Sequence, residues 1–314
     1  MPSARVFRGL GAVRRPPRRA VVTVGVFDGV HVAHQQVIRS TVRLARRLRG
    51  TSFVITFDPD PQAVLDPVHA LPALMPLAER LDHLDALGVD AVWVIPFNRR
   101  FAHTTAEQFV RRILVGRLHA IAVVVGEAFV FGQRQRGDMT VLRALGPPDG
   151  MRIVPVRFVR RGGAPVSSSR IRRLIARGRL RDAAVLLGRP PALYGLVVKG
   201  AGRGRRLGAP TANLRLIPQV LPPQGVYAVR VKTDATERTW RGVMNLGVRP
   251  TFGPGPLVCE VHLLRFSGSL RGRSVTVSLL ARLRSERRFP TPEALRSQIQ
   301  QDLARARALF YRLP

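Results

Sequence analysis

Residues 21–34, which read VVTVGVFDGVHVAH, contain the pattern that best indicates the fold of the N-terminal half. Residues 21–26 form an apolar run with the length of a buried strand, and residues 27–29 are typical of a turn. A helical pattern begins at Ala33 and continues to about Leu48. A buried strand that leads through a glycine turn into a helix predicts the first βα unit of a parallel sheet.

The alternation of buried strands and helices continues beyond this stretch. Apolar runs of strand length lie at residues 52–57, 91–96, 121–125 and 151–156, and helical patterns lie near residues 76–87 and 105–115. Continuous apolar strands of this kind predict an α/β domain whose parallel sheet is covered by helices on both faces. Ligands bind at the carboxyl ends of the strands in such sheets.

The sequence changes character after about residue 188. Residues 188–191, Gly-Arg-Pro-Pro, are typical of a linker, and the segments that follow are short, strand-like and separated by glycine and proline turns. They lie at residues 194–198, 225–231, 240–246, 258–264 and 274–282. This pattern predicts an antiparallel β-barrel, and the spacing in residues 292–310 predicts a terminal helix. We therefore expect two domains, residues 1–186 and residues 187–314.

Length and composition exclude several classes of protein. The chain has 314 residues, of which 46% are apolar, so it can bury two cores and is not a disordered polycation. No apolar run approaches the roughly 18 residues that a membrane span needs, so we expect no membrane partner. The single cysteine, Cys259, allows no intramolecular disulfide and fits a reducing compartment, which predicts a cytoplasmic location.

The chain is strongly basic. Its 52 lysines and arginines against 19 acidic residues give a formal net charge of +33, which is typical of proteins that bind DNA or RNA. Arginine is used throughout the chain, however, and the only lysines are Lys199 and Lys232. Aromatic residues make up 6% of the chain, which leaves few stacking platforms for single strands. We interpret the charge as a general enrichment in arginine and expect that no nucleic acid is required.

A first candidate site lies where the first predicted strand meets its helix. Gly25, Asp28 and Gly29 lie at the turn, and His31 and His34 open the helix, whose free N–H groups and positive dipole end suit a phosphate. Two imidazoles at this place can donate hydrogen bonds to a phosphoryl group. A metal pair and ordinary surface histidines are the alternatives. No cysteine, third histidine or local carboxylate set completes a zinc pattern, which disfavours a metal.

A second motif is the run Val-Ser-Ser-Ser-Arg-Ile-Arg at residues 166–172. Ser168 and Ser169 precede an apolar-periodic helix that carries Arg172. Serines at a helix start can simply cap the helix. Together with an arginine they can also bind pyrophosphate, so both interpretations stay open.

A third motif is the glycine-rich segment at residues 200–214, which ends in Pro-Thr-Ala-Asn-Leu. Backbone N–H groups of such a segment can surround phosphate oxygens. The hydroxyl of Thr211 and the carbonyl of Asn213 are hard oxygen ligands that suit Mg²⁺. A glycine-rich barrel turn with a capping threonine is the alternative. The segment lacks the Gly-Lys-Ser/Thr ending of a Walker P-loop.

The first two motifs resemble the nucleotidylyltransferase half of the bacterial bifunctional riboflavin kinase/FAD synthetase family, in which they read G-x-F-D-G-V-H-x-G-H and S-S-T-x-I-R. The resemblance implies a Rossmann-like domain that transfers an adenylyl group from ATP to FMN. It implies that His31 and His34 steady the ATP phosphates, and that Ser168, Ser169 and Arg172 hold the leaving pyrophosphate.

Two more segments resemble the flavin side of that family. They are residues 56–61, which contain Phe57, and the turn at residues 126–132, which contains Phe131. The resemblance implies that both phenylalanines contact the flavin.

The adenylyl-transfer motifs depart from the family pattern at three positions. Ala33 replaces the glycine between the two histidines, Asp60 replaces a histidine in the proline loop, and Ala128 replaces an asparagine or aspartate. A methyl group at residue 33 can crowd the α-phosphate, and a carboxylate at residue 60 adds negative charge near anionic ligands. We therefore expect weaker synthesis of FAD.

The third motif resembles the riboflavin kinase signature G-R-x-L-G-x-P-T-A-N-L. Four further segments resemble motifs of that domain in the same order, at residues 222–227, 245–252, 260–264 and 284–289. The ordered set implies a β-barrel kinase domain that phosphorylates riboflavin. Arg265, in place of a frequent acid, and Arg271, in place of a frequent tyrosine, depart from the family pattern.

The kinase resemblance also implies roles for individual residues. Glu286 is the expected general base for the riboflavin 5′-hydroxyl, with an ion pair to Arg284 or Arg287 as the structural alternative. Thr211 and Asn213 are expected to hold Mg²⁺ on the ATP phosphates. The residues expected to shape the phosphate loop are Gly204, Arg205 and Gly208, and those expected to contact the flavin are Arg249 and Thr251.

The expected activity is therefore bifunctional. Riboflavin is phosphorylated by ATP to FMN, and FMN is adenylylated to FAD with release of pyrophosphate. A riboflavin kinase whose N-terminal nucleotide-binding domain is impaired is the nearest alternative, and a nucleic-acid-binding protein that reuses the fold is a third. The expected partners are small molecules, namely riboflavin, FMN and ATP, and the sequence does not indicate an oligomeric state.

Overall fold

A computed structural model describes residues 3–15, 17, 19–146, 148, 150–200, 204, 208–248 and 257–312, without the side chain of Glu237. The chain divides into two compact units. The first comprises Met1–Leu71 and Pro76–Ser168, and the second comprises Pro72–Met75 and Ser169–Pro314. The domain boundary predicted between residues 186 and 187 lies further along the chain and stays a prediction.

The first unit is built on a parallel sheet, as predicted. Its described strands are β1 (Arg5–Arg8), β2 (Ala20–Val24), β3 (Thr51–Asp58), β4 (Ala91–Pro96), β5 (Ala120–Gly126) and β6 (Arg152–Val156). They lie in the order β1-β4-β3-β2-β5-β6, and each neighbouring pair is parallel. The central strands are buried because their side chains are apolar on both faces, which is typical of sheets covered by helices on both sides.

Along the chain, the helices of the first unit alternate with these strands. The described ones are α1 (Val32–Arg47), α2 (Pro61–Leu65), α3 (Leu77–Ala86), α4 (Arg99–Ala102), α5 (Ala106–Gln108) and α6 (Met139–Leu145). Helix α1 buries Ile38, Thr41, Val42 and Ala45, the face that its apolar spacing predicts. The predicted helix at residues 105–115 is α-helical only at its start, and Phe109–Val115 forms a π-helical segment.

One strand of this sheet was not predicted. Strand β1 pairs with β4 at the edge of the sheet, and its Phe7 ring stacks on Phe53 with ring centroids 5.9 Å apart. Its sequence is Arg-Val-Phe-Arg, in which the two apolar residues are too few, between charged ones, to indicate a strand. An edge strand tolerates this composition because one side of it faces solvent.

The second unit contains a closed antiparallel barrel, which confirms the predicted fold. Its described strands are β9 (Ala192–Val198), β10 (Ala212–Leu216), β11 (Gly225–Thr233), β12 (Thr236–Val248), β13 (Leu257–Leu263) and β14 (Ser274–Ser285). The order around the barrel is β10-β13-β12-β11-β14-β9. Fully buried side chains such as Tyr227, Val229, Met244 and Leu246 fill its interior.

Further elements accompany these two sheets. A hairpin is formed by β7 (Arg160–Arg161) and β8 (Ala164–Pro165), and three more helices are α7 (Ser168–Ala176), α8 (Leu180–Leu187) and α9 (Pro292–Arg312). Helix α9 is the predicted terminal helix, and its Ala306 and Phe310 pack against Ala228 of the barrel wall. Among the described helices, none combines the length and the apolar composition that crossing a bilayer requires.

Candidate functional site

The turn after β2 is held in an unusual backbone conformation. Phe27 and Val30 have φ values of 55° and 36°, and Gly29 between them has a φ of 81°. The N–H of Gly25 donates to the carbonyl of Ile55 at 3.1 Å, which fixes where the turn leaves the sheet. Positive φ is costly for phenylalanine and valine, and strain of this kind occurs mostly at functional turns.

The two histidines lie together at the start of α1. His31 is the N-cap residue, and its Nδ1 accepts a hydrogen bond from the backbone N–H of His34 at 3.3 Å. The two rings are stacked with centroids 3.5 Å apart, and the edge of Phe27 packs against His34. Since Nδ1 of His31 accepts, the hydrogen of the neutral ring lies on Nε2, where it can be donated to a ligand.

The electrostatic surroundings favour an uncharged His34. Burial lowers the pKa of His34 well below its usual value, and the positive charges of His31 and Arg80 lower this pKa further. The Nδ1 atom of His34 is buried and has no hydrogen-bond partner within the described part of the chain. These surroundings therefore favour a neutral imidazole at His34.

The serine motif meets the histidine turn through Ser168. The Oγ of Ser168 donates to the carbonyl of Asp28 at 2.9 Å, and Asp28 itself is only 3% exposed. The two motifs that the sequence placed 140 residues apart are thus joined within the first unit. Ser169 and Arg172 belong to the second unit, in which Nε of Arg172 donates to the carbonyl of Pro72 at 2.7 Å.

The predicted flavin residues of the first unit lie in aromatic clusters. Phe57 packs against Phe97 and Phe101, with ring centroids 5.8 Å and 6.0 Å away. Phe131 stacks on Phe129 at 5.3 Å and is 7% exposed, so most of its surface is used in the core of the first unit. The flavin contacts of Phe57 and Phe131 stay a prediction.

One charged residue of this region was not predicted from the sequence. Arg80 on α3 is 5% exposed, and its Nη1 donates to the hydroxyl of Thr56 at 3.3 Å and to the carbonyl of Phe57 at 3.2 Å. The sequence does contain a sign that Arg80 is buried, because this residue lies four positions before the buried Leu84 on the apolar face of α3. A basic residue on an apolar helix face usually has buried acceptors or acids as partners.

An open cavity of about 980 Å³ lies against the barrel of the second unit and is also lined by the end of α9. Thr211 and Asn213 line one part of it, and Trp240 and Phe266, in edge contact at 5.5 Å, line another. His262 also lines the cavity, and its Nδ1 lies 2.8 Å from the carbonyl of Pro210. The cavity therefore combines hard oxygen atoms with an aromatic surface, which suits the phosphates and the base of a nucleotide.

Two glycines pack closely against the side chains of Thr211 and Asn213. A methyl group added to Gly200 would overlap the amide of Asn213, and one added to Gly204 would lie 2.8 Å from the Oγ1 of Thr211. The described residues contain no cluster of three or more His, Cys, Asp or Glu side chains that could hold a metal. The hydroxyl and amide oxygens fit a Mg²⁺ ion that takes its remaining ligands from phosphates and water.

The described wall of this cavity is strongly positive. Its charged side chains are five exposed arginines, and none of its described lining residues is acidic. They are Arg238, Arg241, Arg265, Arg271 and Arg307. The sequence contains so many arginines that a binding role could not be predicted for any single one of these five. Only the fold shows that they line one cavity.

The candidate base Glu286 follows directly after β14. Its Oε2 accepts from the backbone N–H of Val248 at 3.3 Å, and the carboxylate lies against Gly247. Partial burial raises the pKa of Glu286, while the Val248 N–H and the charge of Arg284 lower it in part. A raised pKa suits a group that must accept a proton near neutral pH.

The ion-pair alternative for Glu286 is disfavoured by the partners of its neighbours. Nε of Arg284 donates instead to the buried carboxylate of Asp302 at 2.9 Å. The guanidinium of Arg287 lies 5.0 Å from the ring centroid of Phe289. Within the described residues, no ion pair joins Glu286 to Arg284 or Arg287.

Gly247 offers a direct test of the Glu286 geometry. A methyl group at residue 247 would occupy the place of the Glu286 carboxylate, so Gly247→Ala should displace the base and lower the rate of flavin phosphorylation by about 100-fold. The measurement is kcat with riboflavin and MgATP. Gly11→Ala is the control, because no atom lies within 4 Å of a methyl group there. Equal kcat for both variants and the parent protein would contradict the proposed placement.

Three predicted site residues lie outside the described residues, namely Arg205, Arg249 and Thr251. Of the other phosphate-loop residues, Gly204 accepts a hydrogen bond from the N–H of Ala209 at 2.9 Å. Gly208 has a φ of 77°, a conformation that favours glycine. The roles of these residues stay predictions.

Comparison with known proteins follows the same two-part division. The family model for FAD synthetase matches residues 13–170, and the model for riboflavin kinase matches residues 187–310. A bifunctional riboflavin kinase/FMN adenylyltransferase from Pseudomonas fluorescens is 40% identical over 303 residues, which is 96% of each chain. The chain belongs to the bifunctional riboflavin kinase/FMN adenylyltransferase family.

Other members and one solved structure extend this result. The bifunctional riboflavin kinase/FMN adenylyltransferase of Escherichia coli strain K12 is 36% identical over 307 residues, which is 98% of each chain. A crystal structure of a Streptococcus pneumoniae protein described as a macrolide-efflux protein has a TM-score of 0.84 and 30% identity, over 96% of this chain and 98% of that one. The predicted family and fold class are therefore confirmed.

Asp60, one of the departures from the pattern of the bifunctional riboflavin kinase/FMN adenylyltransferase family, has a structural role in this chain. Asp60 is the N-cap of α2, and its Oδ1 accepts from the N–H of Gln62 at 2.8 Å. Asp60 also faces the Arg80 guanidinium, which offsets its charge. Ala128 is exposed in the turn after β5, and Ala33 lies in the first turn of α1.

Proposed function

We propose that this protein makes FAD from riboflavin in two ATP-dependent steps. The second unit transfers the γ-phosphoryl group of ATP to the 5′-hydroxyl of riboflavin, giving FMN and ADP. The first unit transfers the adenylyl group of another ATP to FMN, giving FAD and pyrophosphate. The observation that carries the proposal is that each unit combines its family's fold with an appropriate set of polar groups, the stacked histidines in one and the barrel cavity in the other.

Phosphorylation needs a base, groups that bind the phosphates and a pocket for the nucleotide. Glu286 accepts the proton of the flavin hydroxyl, and its hydrogen bond with the Val248 N–H fixes the direction of the carboxylate. Glycines 200, 204 and 208 are proposed to let the backbone approach the phosphates, because they carry no side chain. The chemistry then depends mainly on positioning and on neutralising charge.

Magnesium is the proposed cofactor of this step. The oxygen atoms of Thr211 and Asn213 would hold the ion, which when bound neutralises the charge that develops on the transferred phosphoryl group. The fit rests on the hydroxyl oxygen of Thr211 and the amide oxygen of Asn213, which are hard ligands and belong to residues that line the cavity.

Adenylyl transfer needs donors toward the phosphates of ATP. Nε2 of His31 donates to the α-phosphate while the FMN phosphate attacks it, and His34, kept neutral by its surroundings, supports the same group. The hydroxyl of Ser168 donates to the carbonyl of Asp28, so Ser168 lies beside the histidine turn. Ser168, Ser169 and Arg172 are the proposed ligands of the leaving pyrophosphate.

The rival activity, riboflavin phosphorylation alone, has less support. Both family models match, and relatives of full length are described as bifunctional. The departures at Ala33 and Ala128 nevertheless predict a slow second step.

The adenylyl step can be tested with FMN and MgATP as the only substrates. We expect FAD and pyrophosphate to form in equal amounts, and Ala33→Gly to raise kcat several-fold because it removes a methyl group from the phosphate approach (about 1 kcal/mol corresponds to a factor of five). The measurement is FAD by chromatography with coupled detection of pyrophosphate. The Gly11→Ala variant is the control. Absence of FAD with the parent protein would overturn this half of the proposal.

The arginine-lined cavity predicts a strong effect of salt on the kinase. MgATP is an anion, so the value of kcat/KM for ATP should fall about tenfold between low and moderately high ionic strength. Replacing both Arg265 and Arg271 by Gln should lower kcat/KM at low salt and flatten this dependence. Arg305→Gln, on α9 but outside the cavity, should change neither. An unchanged salt dependence in the double variant would contradict the prediction.

A further inference from the structure

Arg80 has buried polar contacts that packing alone does not require. Its side chain enters the first unit from α3, is 5% exposed, and bonds to the Thr56 hydroxyl and to the Phe57 carbonyl through Nη1. Its Nε is buried without a hydrogen-bond partner within the described part of the chain. Burying a guanidinium is expensive, and an apolar side chain of similar length would fill the same space at a lower cost.

The contacts of Arg80 join two strand ends at the candidate adenylyl-transfer site. The Thr56 hydroxyl accepts from Arg80 and donates to the carbonyl of Val26 at 3.0 Å. Val26 directly precedes the strained turn that leads to His31. This chain of hydrogen bonds runs from α3 through the end of β3 to the turn after β2, and Thr56 at its centre is fully buried.

The charges around Arg80 come from the same site. Asp28 in the histidine turn, Asp58 at the end of β3 and Asp60 at the start of α2 face its guanidinium, and His34 faces it from α1. The charge of Arg80 offsets three carboxylates near a site whose ligands are themselves anions. Without it, the negative charge of these carboxylates would oppose the binding of ATP and FMN.

We propose that Arg80 is a positioning residue of adenylyl transfer, which holds the Phe57 backbone and the histidine turn in register and supplies the fixed positive charge of the site. The inference rests on the proposed function of the first unit. It differs from the roles assigned above because Arg80 acts through Thr56, Phe57 and His34.

The proposal predicts a specific change in pH dependence. Burial lowers the pKa of His34 first, and His31 and Arg80 lower it further. Removing the positive charge of Arg80 therefore moves this pKa upward, so His34 becomes protonated at a higher pH. The acidic limb of the pH profile for FAD synthesis should then move to higher pH, a shift that a purely structural role would not cause.

The test compares Arg80→Met, Arg80→Lys and the control Arg39→Met in the full chain. Arg39 is exposed on α1 and contacts neither histidine ring in the described structure. Arg80→Met should lower kcat/KM for FMN about 100-fold and shift the acidic limb, while FMN formation by the second unit stays within twofold. Arg80→Lys keeps the charge but loses part of the hydrogen-bond geometry, so it should lower kcat about tenfold with an unshifted profile.

Each outcome decides the proposal. FAD synthesis by Arg80→Met within threefold of the parent, with the same pH profile, overturns it. If Arg80→Met does not fold, Arg80→Lys decides, and parent-like kcat in that variant overturns the proposal. A parent protein that forms no FAD refutes the proposed function itself, which separates that failure from the failure of this inference.

Discussion

Glu286→Gln should remove almost all formation of FMN while the barrel stays folded. The substitution keeps the shape of the side chain and its hydrogen bond with the Val248 N–H, but the amide cannot accept the proton of the flavin hydroxyl. Loss of a general base typically costs about 10²–10⁴-fold in rate. The measurement is kcat for phosphorylation of riboflavin with saturating MgATP.

The control for this prediction is Glu293→Gln. Glu293 is exposed at the start of α9, outside the cavity, and should leave kcat unchanged. Thermal unfolding of both variants shows whether the barrel is intact. Normal turnover by Glu286→Gln would remove Glu286 from the role of base and favour a structural role for its carboxylate.

His31→Asn should abolish most FAD synthesis and leave FMN formation unchanged. Asparagine can still cap α1, so the helix start is retained, but the Nε2–H group proposed to donate to the phosphate is lost. Removing one donor that stabilises a developing charge typically costs about 10²–10³-fold. The measurement is kcat with FMN and MgATP, and FMN formation by the same variant is the internal control.

The opposite result for His31→Asn would be informative. If FAD synthesis and FMN formation fell together, the substitution would have disturbed the fold rather than the adenylyl step. If neither fell, the histidine turn would not be the site of the reaction. His31→Ala is less suitable, because it also removes the helix cap, at a cost of about 1 kcal/mol.

The sequence predicts those elements of the fold whose apolar pattern is continuous. Strands β2 to β5 lie within about two residues of their predicted bounds, because both faces of each strand are largely buried and most of its side chains are apolar. Strand β10 was missed, because its five residues belong to the segment that ends in Pro-Thr-Ala-Asn-Leu, which reads as a phosphate loop. Strand β1 was missed because arginines flank its apolar centre.

The same distinction applies to the residues of the candidate sites, some of which could be predicted from the sequence and some of which could not. Residues that stand in a contiguous motif, such as His31 and Thr211, could be proposed from the sequence because the motif carries the signal. Arg80 could not, since it lies far along the chain from the turn that it supports and is one of many arginines. The same holds for the arginines of the barrel cavity, which come from separate strands, turns and α9.

The formal net charge of +33 thus has a partial explanation in the structure. Five arginines line the cavity proposed for ATP, and Arg80 balances three carboxylates in the first unit. Both proposed reactions handle polyanions, for which a positive field increases the rate of capture. Many of the other described arginines are exposed on the surface, where the structure gives them no site.

A time course with riboflavin as the only flavin and MgATP as the only nucleotide tests the central claim most directly. Riboflavin, FMN and FAD are separated by chromatography at each time point. We predict that FMN rises first and that FAD follows more slowly as FMN is consumed, with one pyrophosphate released per FAD. FMN that accumulates without FAD would contradict the claim for the first unit, and riboflavin that stays unchanged would contradict it for the second.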